Sequence, residues 1–503
     1  MQEERLDVLV VGAGISGIAA GYHLQTECPQ LSWAIVERRE SLGGTWDLFR
    51  YPGIRSDSDM HTLGFRFRPW RDAKAIADGP AILAYLRDTA HEYGIDQRIR
   101  YGLEVTRAAW SSATARWTVE ARRAGGEPAR FTCRFLFMCS GYYDYDAGYT
   151  PELPGRERFR GRIVHPQQWT DDVDYAGKRV IVIGSGATAV TLVPALAERA
   201  AHVTMLQRSP TWIVGAPAAD PISHLARRVL PERLAYDVTR WKNILFAAAL
   251  FQFCRRWPAR ARALLLRHVR ESLGPDYDVA THFTPRYDPW QQRLCLAPDG
   301  DFWATIKSGR ASVVTDHVAE LTERGIRLRS GAELEADLIV TATGLVLKLL
   351  GGVQLTVDDR RVELGKSLTY KGVMFTDVPN LALAIGYTNA SWTLKCELTA
   401  EWVCRLLNHM AAHAYDECRP RRPEGDVATA PMLDFTSSYV LRAVDAFPKQ
   451  GPRPPWQAFQ NYLRDVWTVG WSRLEDGVLQ FRRRPAAATK AAAPAPPAPR
   501  EHA

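Results

Sequence analysis

Two short apolar runs, each followed by a glycine-rich turn and an apolar helix-like stretch, dominate the pattern of the chain. The first run covers residues 6–11 (LDVLVV) and the second covers residues 179–183 (RVIVI). Such runs are typical of parallel strands buried on both faces. The strand–turn–helix order at both places predicts an α/β fold with two Rossmann-like units.

The first turn has the spacing G-x-G-x-x-G, with Gly12, Gly14 and Gly17. The first glycine makes the tight turn, the second lets the backbone approach a pyrophosphate, and the third allows the helix to pack closely on the strand. The next predicted strand ends at Glu37, where a carboxylate accepts hydrogen bonds from a ribose diol and repels a 2′-phosphate. We therefore predict FAD or NAD here, and not NADP.

The second turn has the spacing G-x-G-x-x-A, with Gly184, Gly186 and Ala189. The strand after it ends in Gln-Arg-Ser, so that Arg208 and Ser209 stand where the first unit has an acid. A guanidinium and a hydroxyl suit a 2′-phosphate through charge pairing and hydrogen bonds. This unit is predicted to bind NADPH, and the two units together predict FAD plus NADPH.

A basic, helix-like insertion is predicted at about 220–280. Residues 222–273 hold eleven Lys/Arg against three Asp/Glu, interleaved with apolar residues, which predicts two or three amphipathic helices. We interpret them as a solvated insertion, with peripheral membrane contact as the alternative. Their aromatic side chains are expected in the core, with lining of a substrate pocket as the alternative: Trp241, Phe246, Phe251, Phe253 and Trp257. The formal charge of +8 suits anionic partners, but no nucleic-acid-binding motif accompanies it.

The cysteine pattern and the N-terminal sequence indicate in which cellular compartment the protein is expected. The eight cysteines form no CxxC pair and no His/Cys cluster, so no metal site is predicted. The N-terminus enters a strand almost at once, and its acidic residues are unlike a signal peptide. The apolar run 244–251 is too short to cross a bilayer. We expect a reduced, cytoplasmic protein, with peripheral membrane association as the alternative; oligomeric state does not follow from the sequence.

Two further motifs resemble those of Baeyer–Villiger monooxygenases. The stretch GGTWDLFRYPGIRSDSD (43–59) is similar to one family signature at Gly43, Gly44, Trp46, Tyr51, Pro52, Gly53 and Asp57. The stretch FRGRIVHPQQWT (159–170) resembles the FxGxxxHxxxW fingerprint at Phe159, Gly161, His165 and Trp169, with Thr170 where the family has Pro or Asp. Further stretches, including PWQQRLC and GYTNASWTLK, resemble the mycobacterial FAD monooxygenases that activate the thioamide ethionamide. The resemblance spans about residues 5–485.

The resemblance implies a reaction. NADPH reduces FAD, the reduced flavin and O₂ form a C4a-peroxyflavin, and one oxygen atom enters a ketone to give an ester. Thioamides and sulfides are implied as further substrates, oxidised at sulfur. Arg293 matches the family's active-site arginine by its PWxQR pattern and would stabilise negative charge. Asp57 would orient Arg293, while the alternatives are a loop ion pair for Arg293 and simple solvation for Asp57.

The resemblance also implies cofactor contacts. His165 is expected to couple the two domains conformationally and not to transfer a proton. Gln292 stands where many relatives have Lys, which leaves the 2′-phosphate to Arg208, Ser209 and Arg55. The expected FAD contacts are Gly12, Gly14, Ser16, Gly17, Glu37, Thr45, Trp46, Asp47, Leu48, Asp57 and Val105. The expected NADPH contacts are Arg55, Ser56, Gly184, Ser185, Gly186, Ala187, Thr188, Ala189, Arg208 and Ser209.

The predicted organisation has four segments. Residues 1–145 and 345–484 form the two parts of the FAD domain, and residues 146–344 form the NADPH domain with its insertion. Residues 485–503 are an Ala/Pro-rich tail, predicted to be disordered. The stretch 386–395 is expected to supply a second wall of the flavin pocket.

Three other interpretations stay open. A flavin monooxygenase that oxygenates nitrogen or sulfur is the nearest alternative, although such enzymes usually have Tyr at the position of Trp169. A disulfide reductase shares the two-loop layout but needs a redox cysteine pair. A sensor that binds flavin and NADPH would oxidise NADPH slowly and transfer no oxygen.

Overall fold

The chain builds two main sheets, one from each of the two predicted strand–turn–helix units. A computed structural model describes residues 3–425, 427–433 and 435–484, so the predicted tail lies outside the described residues. The helices are α1 (Ile15–Glu27), α2 (Thr45–Leu48), α3 (Met60–Leu63), α4 (Gly79–Glu92), α5 (Ala187–Leu196), α6 (Pro221–Val229), α7 (Glu232–Arg256), α8 (Pro258–Leu273), α9 (Val279–His282), α10 (Asp301–Lys307), α11 (Trp392–Ala412), α12 (Ser438–Leu441) and α13 (Tyr462–Asp465).

The strands are short and spread over the whole chain. They are β1 (Glu3–Val11), β2 (Trp33–Val36), β3 (Ile99–Arg100), β4 (Leu103–Ser111), β5 (Arg116–Arg123), β6 (Pro128–Met138), β7 (Arg162–Val164), β8 (Arg179–Ile183), β9 (His202–Gln207), β10 (Ile213–Ala216), β11 (Cys295–Pro298), β12 (Ala311–Thr315), β13 (Val318–Leu321), β14 (Gly325–Leu328), β15 (Glu333–Glu335), β16 (Leu338–Thr341), β17 (Gln354–Val357), β18 (Arg360–Arg361), β19 (Thr369–Tyr370), β20 (Met374–Phe375), β21 (Leu381–Leu383), β22 (Glu417–Pro420), β23 (Ala430–Pro431), β24 (Lys449–Gln450) and β25 (Leu479–Arg482).

The first main sheet joins the N-terminal part of the chain to a segment of its later half. Its strand order is β18-β17-β4-β5-β6-β1-β2-β3, and β21 pairs with β6. At its centre β1 lies parallel to β2 and to β6, with Val10 opposite both Ile35 and Phe137. Strands from residues 3–138 and from residues 354–383 therefore share one sheet, although the domain boundaries at 145 and 344 stay predictions.

The second main sheet has the order β12-β9-β8-β16-β7, and all of its pairings are parallel. Strand β8 is its centre, with Val182 opposite Met205 on one side and Val340 on the other. The edge strand β7 comes from the fingerprint stretch, so Phe159 and His165 flank a strand of the second unit. The predicted α/β class with two Rossmann-like sheets is confirmed.

Helix α11 covers one face of the first sheet together with α1. Its buried side chains Trp402 and Leu406 belong to the same apolar cluster as Ile18 and Leu24 of α1. The other face carries a second cluster that includes Trp110 and the fully buried indole of Trp117. This packing fixes the N-terminal ends of α1 and α11 beside the carboxyl ends of β1 and β6.

The basic insertion folds as the three helices α6, α7 and α8, as predicted. The expectation that its aromatic residues lie in the core is wrong for three of them: the exposed fractions are 44% for Trp241, 67% for Phe246 and 49% for Trp257. Helix α7 buries one narrow stripe, including Tyr236, Arg240 and Ile244, and leaves its opposite face uncovered. Among the described residues, no helix is long and apolar enough to cross a bilayer.

Arg240 connects the insertion to the first unit through hydrogen bonds and an ion pair. Its Nη1 donates to the carbonyl oxygens of His61 (2.8 Å) and Gly64 (2.7 Å), and its Nη2 lies 2.7 Å from Oε2 of Glu397 on α11. Both side chains of the ion pair are buried, with 4% and 7% exposed. A buried charge is tolerated only where it is paired and fully hydrogen-bonded, as it is here.

Replacing Arg240 by methionine is expected to destabilise the chain by about 3–5 kcal/mol, because Glu397 is left buried without its partner. The matched control is Arg233→Met on the same helix, whose exposed ion pair with Asp237 spans 3.6 Å and is worth about 0–1 kcal/mol. Thermal unfolding of the FAD-loaded proteins measures both. Equal losses of stability in the two variants would contradict the larger contribution assigned to the buried pair.

Candidate active site

The first glycine turn leaves the N-terminus of α1 open. Gly12 has φ +104°, and a Cβ on Gly17 would lie 1.9 Å from the carbonyl oxygen of Gly12, so both positions require glycine. No side chain caps α1 at Gly14. Its first N–H groups are thus available to an anionic group such as a pyrophosphate.

Glu37 lies buried directly after β2. Its Oε2 accepts from the N–H of Ala13 (2.7 Å) and its Oε1 accepts from the N–H of Arg39 (2.9 Å). Burial raises the pKa of Glu37 above its usual range, although the two N–H donors oppose that shift. The carboxylate is therefore fixed against the first turn, where a ribose diol of FAD would meet it.

The stretch 45–48 divides between the cavity and the protein interior. Thr45 and Trp46 line the cavity, whereas Asp47 and Leu48 are not among its lining residues. The carboxylate of Asp47 is 1% exposed and lies 2.6 Å from both Nη2 of Arg39 and Oγ of Ser41. Asp47 thus holds this turn in place from the side that faces the protein interior. The sequence analysis expected Asp47 to contact the flavin directly.

Ser16 contacts two side chains of α11. Its Oγ accepts from Nε1 of Trp392 (3.0 Å) and lies 3.2 Å from Sγ of Cys396. The indole of Trp392 stacks on Tyr142, with ring centroids 5.0 Å apart and planes 13° apart. The stretch 386–395 does line the cavity, at Tyr387, Thr388, Ala390 and Trp392, so it lies where the predicted second wall of the flavin pocket would be.

The second glycine turn repeats the geometry of the first. Gly184 has φ +135°, and a Cβ there would lie 2.2 Å from the carbonyl oxygen of Ala342. Gly186 starts α5 without a side-chain cap, and a Cβ on it would meet no atom within 4 Å. The lining residues include Ser185, Ala187 and Thr188, while the fully buried Ala189 packs in the core beneath the turn.

Arg208 is free to meet an anion beside this second turn. It is exposed, lines the cavity, and has no hydrogen bond or ion pair within the part of the chain that the structure describes. Oγ of Ser185 donates to the carbonyl oxygen of Ser209 (3.0 Å), which holds the two loops together. Arg55 is instead ion-paired with Asp301, and the hydroxyl of the buried Ser56 donates to the carbonyl oxygen of Ser58.

Arg293 and Asp57 meet between the two units. Nε of Arg293 lies 2.7 Å from Oδ2 of Asp57, and Nη1 donates to the carbonyl oxygen of Thr388 (2.6 Å). Burial opposes the charge of Arg293, but Asp57 together with Tyr439 and Tyr142 outweighs it, and the pKa of the guanidinium is raised above its ordinary value. Arg293 is therefore a fixed, permanent cation at the cavity, joined to the carboxylate that the sequence analysis paired with it.

His165 is hydrogen-bonded to the segment around Gly344, one of the two segments that connect the units. Its Nδ1 accepts from the N–H of Gln167 (3.1 Å), so the proton lies on Nε2, which donates to the carbonyl oxygen of Gly344 (3.1 Å). Burial lowers the pKa of His165, which keeps the ring neutral. The connection at Gly344 also accepts from the N–H of Tyr149 (3.0 Å). These contacts agree with the expected conformational role.

The remaining fingerprint residues pack around this junction. A Cβ on Gly161 would lie 2.5 Å from the carbonyl oxygen of Asp337 and from the ring of Phe159, so the chain can pass there only as glycine. Phe159 and Trp169 are both buried in the apolar clusters of the second unit. The fingerprint thus holds the junction without lining the cavity.

One cavity of about 920 Å³ extends from the first glycine turn to the second. Its wall includes residues of both turns, with Val105 and Glu37 near one end, Arg208 and Ser209 near the other, and Asp57 with Arg293 between them. Two adjoining dinucleotide loops with a held cation between them are suited to a reaction between two nucleotide cofactors and a third small molecule.

Comparisons with known proteins agree with this arrangement. The family model described as flavin-binding monooxygenase-like matches residues 71–230, and a NAD(P)-binding Rossmann-like domain matches residues 10–78. The FAD-containing monooxygenase EthA of Mycobacterium tuberculosis is 54% identical over 484 residues, which cover 96% of this chain and 99% of the relative. The chain belongs to the FAD-containing monooxygenase family.

Solved structures with low identity share the fold. An oxidised steroid monooxygenase bound to NADP has a TM-score of 0.73 at 24% identity and covers 95% of this chain and 100% of its own. The cyclohexanone monooxygenase of Rhodococcus sp. Phi1 bound to NADP⁺ has a TM-score of 0.69 at 22% identity and covers 84% and 87%. The predicted flavoprotein monooxygenase family and its two-unit fold are confirmed.

Three cavity residues had no individual assignment in the sequence analysis: Tyr142, Thr388 and Trp392. Trp290, which is not among the lining residues, was not assigned either. Tyr142 follows the carboxyl end of β6, and that end of a parallel strand is where ligand sites are expected, so this signal was available. Trp290 has φ +69° and lies beside Arg293, with the guanidinium 6.0 Å from its ring centroid. No sequence pattern indicates that backbone conformation or the carbonyl contact of Thr388.

Replacing Arg208 by alanine is expected to raise the KM for NADPH by about tenfold or more, since a charge-assisted contact is worth about 1.5–3 kcal/mol. The KM values for NADH and for the oxidised substrate should stay unchanged. Arg310→Ala, an exposed arginine outside the cavity, is the control. Steady-state kinetics with both coenzymes tests this, and equal changes for NADPH and NADH would remove Arg208 from 2′-phosphate binding.

Proposed function

We propose that this family member uses FAD and NADPH to insert one oxygen atom of O₂ into ketones, giving esters, and that it also oxidises the sulfur of thioamides and sulfides. The observation that carries the proposal is the Arg293 cation, held 2.7 Å from Asp57 in a cavity between two dinucleotide loops. A preorganised cation is most useful where negative charge develops on an oxygen atom.

The residues present fit both cofactors. The open N-terminus of α1 and the carboxylate of Glu37 would hold the pyrophosphate and ribose of FAD. The open N-terminus of α5 with Arg208 and Ser209 would hold NADPH, the coenzyme whose oxidised form is bound in the steroid and cyclohexanone monooxygenase structures. Once reduced by NADPH, the flavin supplies the activation of O₂.

The protein's own contribution is charge stabilisation and water exclusion. When a nucleophile adds to a ketone carbonyl, negative charge develops on the carbonyl oxygen, and the guanidinium of Arg293 can donate N–H groups to it. Arginine does not give up its proton at ordinary pH, so Arg293 acts as a charge and not as an acid. Asp57 and the carbonyl of Thr388 hold the guanidinium in one orientation.

The alternative is an enzyme that oxygenates nitrogen or sulfur only. Attack by a soft sulfur nucleophile develops no charge on a ketone oxygen and would gain less from Arg293. A sensor that binds both cofactors is a further alternative, and it predicts NADPH consumption without any oxygenated product. A disulfide reductase needs a redox-active cysteine pair, and the eight cysteines form no CxxC pair.

Arg293→Ala is expected to leave the reduction of flavin by NADPH intact and to lower ester formation by about 100–1,000-fold, the usual cost of removing one oxyanion donor. The assay is conversion of a medium-chain methyl ketone under ¹⁸O₂, with mass spectrometry of the ester. Arg68→Ala is the matched control, because Nε of Arg68 also lies 2.7 Å from a carboxylate, that of Glu92, and Arg68 does not line the cavity.

The wild-type product separates the alternatives. One ¹⁸O atom in the ester supports ketone oxygenation. Labelled sulfoxide from a thioether without any ester from ketones would favour the nitrogen- or sulfur-oxygenating enzyme. NADPH oxidation with no labelled product would favour the sensor, and normal ester formation by Arg293→Ala would remove Arg293 from the mechanism.

The uncovered face of α6–α8 supports a second proposal, peripheral contact with an anionic membrane surface. The three helices carry the exposed apolar residues Ile222, Leu225, Val229, Leu234, Val238, Trp241, Leu245, Phe246, Trp257 and Leu264. Residues 222–273 hold eleven Lys/Arg and three Asp/Glu, which equals the whole formal excess of +8 in the chain. A large apolar face flanked by cations suits anionic lipid.

The double variant Phe246→Ser/Trp257→Ser is expected to weaken binding to phosphatidylglycerol vesicles by about tenfold or more, because each buried aromatic side chain contributes about 1.5–3 kcal/mol. The control is Trp467→Ser/Trp471→Ser, two tryptophans that are each 66% exposed and lie outside α6–α8. Cosedimentation at low and high salt measures both. Absence of wild-type binding, or equal loss in both variants, would contradict membrane contact through α6–α8.

A further inference from the structure

Three side chains with metal-binding atoms meet at the C-terminal end of α11, far along the helix from Trp392 at the cavity. His409 lies in the last turn of α11, and His413 is the residue directly after its end. Glu475, from the segment that leads to β25, faces them. One ligand atom from each of the three lies within 4.8 Å of the other two.

The spacing of these atoms suits a small divalent ion. Nε2 of His409 lies 3.1 Å from Oε1 of Glu475. Two ligands at about 2.0–2.1 Å from zinc, at a tetrahedral angle, are about 3.3 Å apart. The His409–Glu475 pair is therefore close to the separation that zinc requires. The ligand atom of His413 lies within 4.8 Å of the other two and would move closer on binding.

The imidazole of His413 is oriented by a hydrogen bond, and both imidazoles have aromatic neighbours. Nδ1 of His413 donates to the carbonyl oxygen of His409 (2.9 Å), which leaves Nε2 of His413 with a free lone pair. The ring of His413 is stacked on Tyr415, with planes 11° apart, and His409 packs edge-on against Phe481 at 5.1 Å. Metal-binding histidines commonly donate their other ring nitrogen to a carbonyl in this way.

We propose that His409, His413 and Glu475 bind one divalent transition-metal ion, with zinc as the ion that best fits two imidazoles and a carboxylate. The sequence analysis predicted no metal site because it looked for cysteine pairs and His/Cys clusters. Two histidines four residues apart on a helix lie on one face, but the third ligand is 62 residues further on and only the tertiary structure brings it there.

The ion would act as a clamp and not as a redox partner of the flavin. It would join the end of α11 to the segment 466–476, which already contacts α11 through Arg405, whose Nη2 donates to the carbonyl oxygen of Val469 (2.6 Å). Since the same helix begins at the cavity with Trp392, the clamp would stabilise a wall of the active site from its far end. An ion that binds only the folded chain stabilises it by mass action.

The test is calorimetric titration of Zn²⁺ into the FAD-loaded, tag-free full chain. We expect one saturable site per chain. We expect His413→Gln and Glu475→Gln to lower the affinity for zinc by more than about 10-fold, because replacing residues that only support the metal ligands already lowers metal affinity by about that factor. Both residues are exposed, so neither substitution removes core packing. His91→Gln is the matched control, because His91 forms an exposed pair with Asp96 (3.0 Å).

A second measurement, thermal unfolding, does not depend on a fitted binding constant. Zinc should raise the Tm of the wild type and of His91→Gln, but not that of Glu475→Gln. Wild-type affinity retained in His413→Gln, or loss of affinity in His91→Gln alone, would overturn the proposal. Absence of saturable zinc binding to the wild-type chain would do the same.

Discussion

The ion pair between Arg293 and Asp57 joins the two dinucleotide-binding units, and the geometry of the cavity depends on it. Asp57 belongs to the first unit, after α2, whereas Arg293 lies two residues before the start of β11 in the second unit. Neither residue has its partner within its own unit. The cation is therefore held at the cavity only when the two units adopt the orientation described here.

The connections between the units hold that orientation. His165 donates to the carbonyl oxygen of Gly344, and the N–H groups of Asp144 and Tyr149 donate to Val346 and Gly344. These connections are half-buried, and their backbone hydrogen bonds contribute to holding the two segments together. The fingerprint histidine is thus hydrogen-bonded at the connections between the units and does not line the cavity, so its conformational role stays a prediction.

Aromatic neighbours keep the site weakly polar apart from that pair. Burial raises the pKa of Tyr142, Tyr143 and Tyr439, so these phenols stay neutral around pH 7. A fixed cation among neutral rings interacts more strongly with a developing negative charge than it would in water. Helix α11 supports this environment from one side with Trp392, and its far end carries the proposed metal site.

The local order of residues determined much of this protein. The glycine spacings, the buried strands before them and the acid or base after each second strand predicted both Rossmann-like units. The PWxQR pattern, the signature at 43–59 and the fingerprint pointed to Arg293, Asp57 and His165, respectively. These features are local, because each is a requirement of one turn or one strand on residues a few positions apart. Tertiary structure alone decided what depends on distant partners: the inward turn of Asp47 towards Arg39, the pairing of Arg55 with Asp301, and the approach of Glu475 to His409. It also decided that Trp241, Phe246 and Trp257 lie exposed, since amphipathic periodicity predicts two faces of a helix but not which face another element covers.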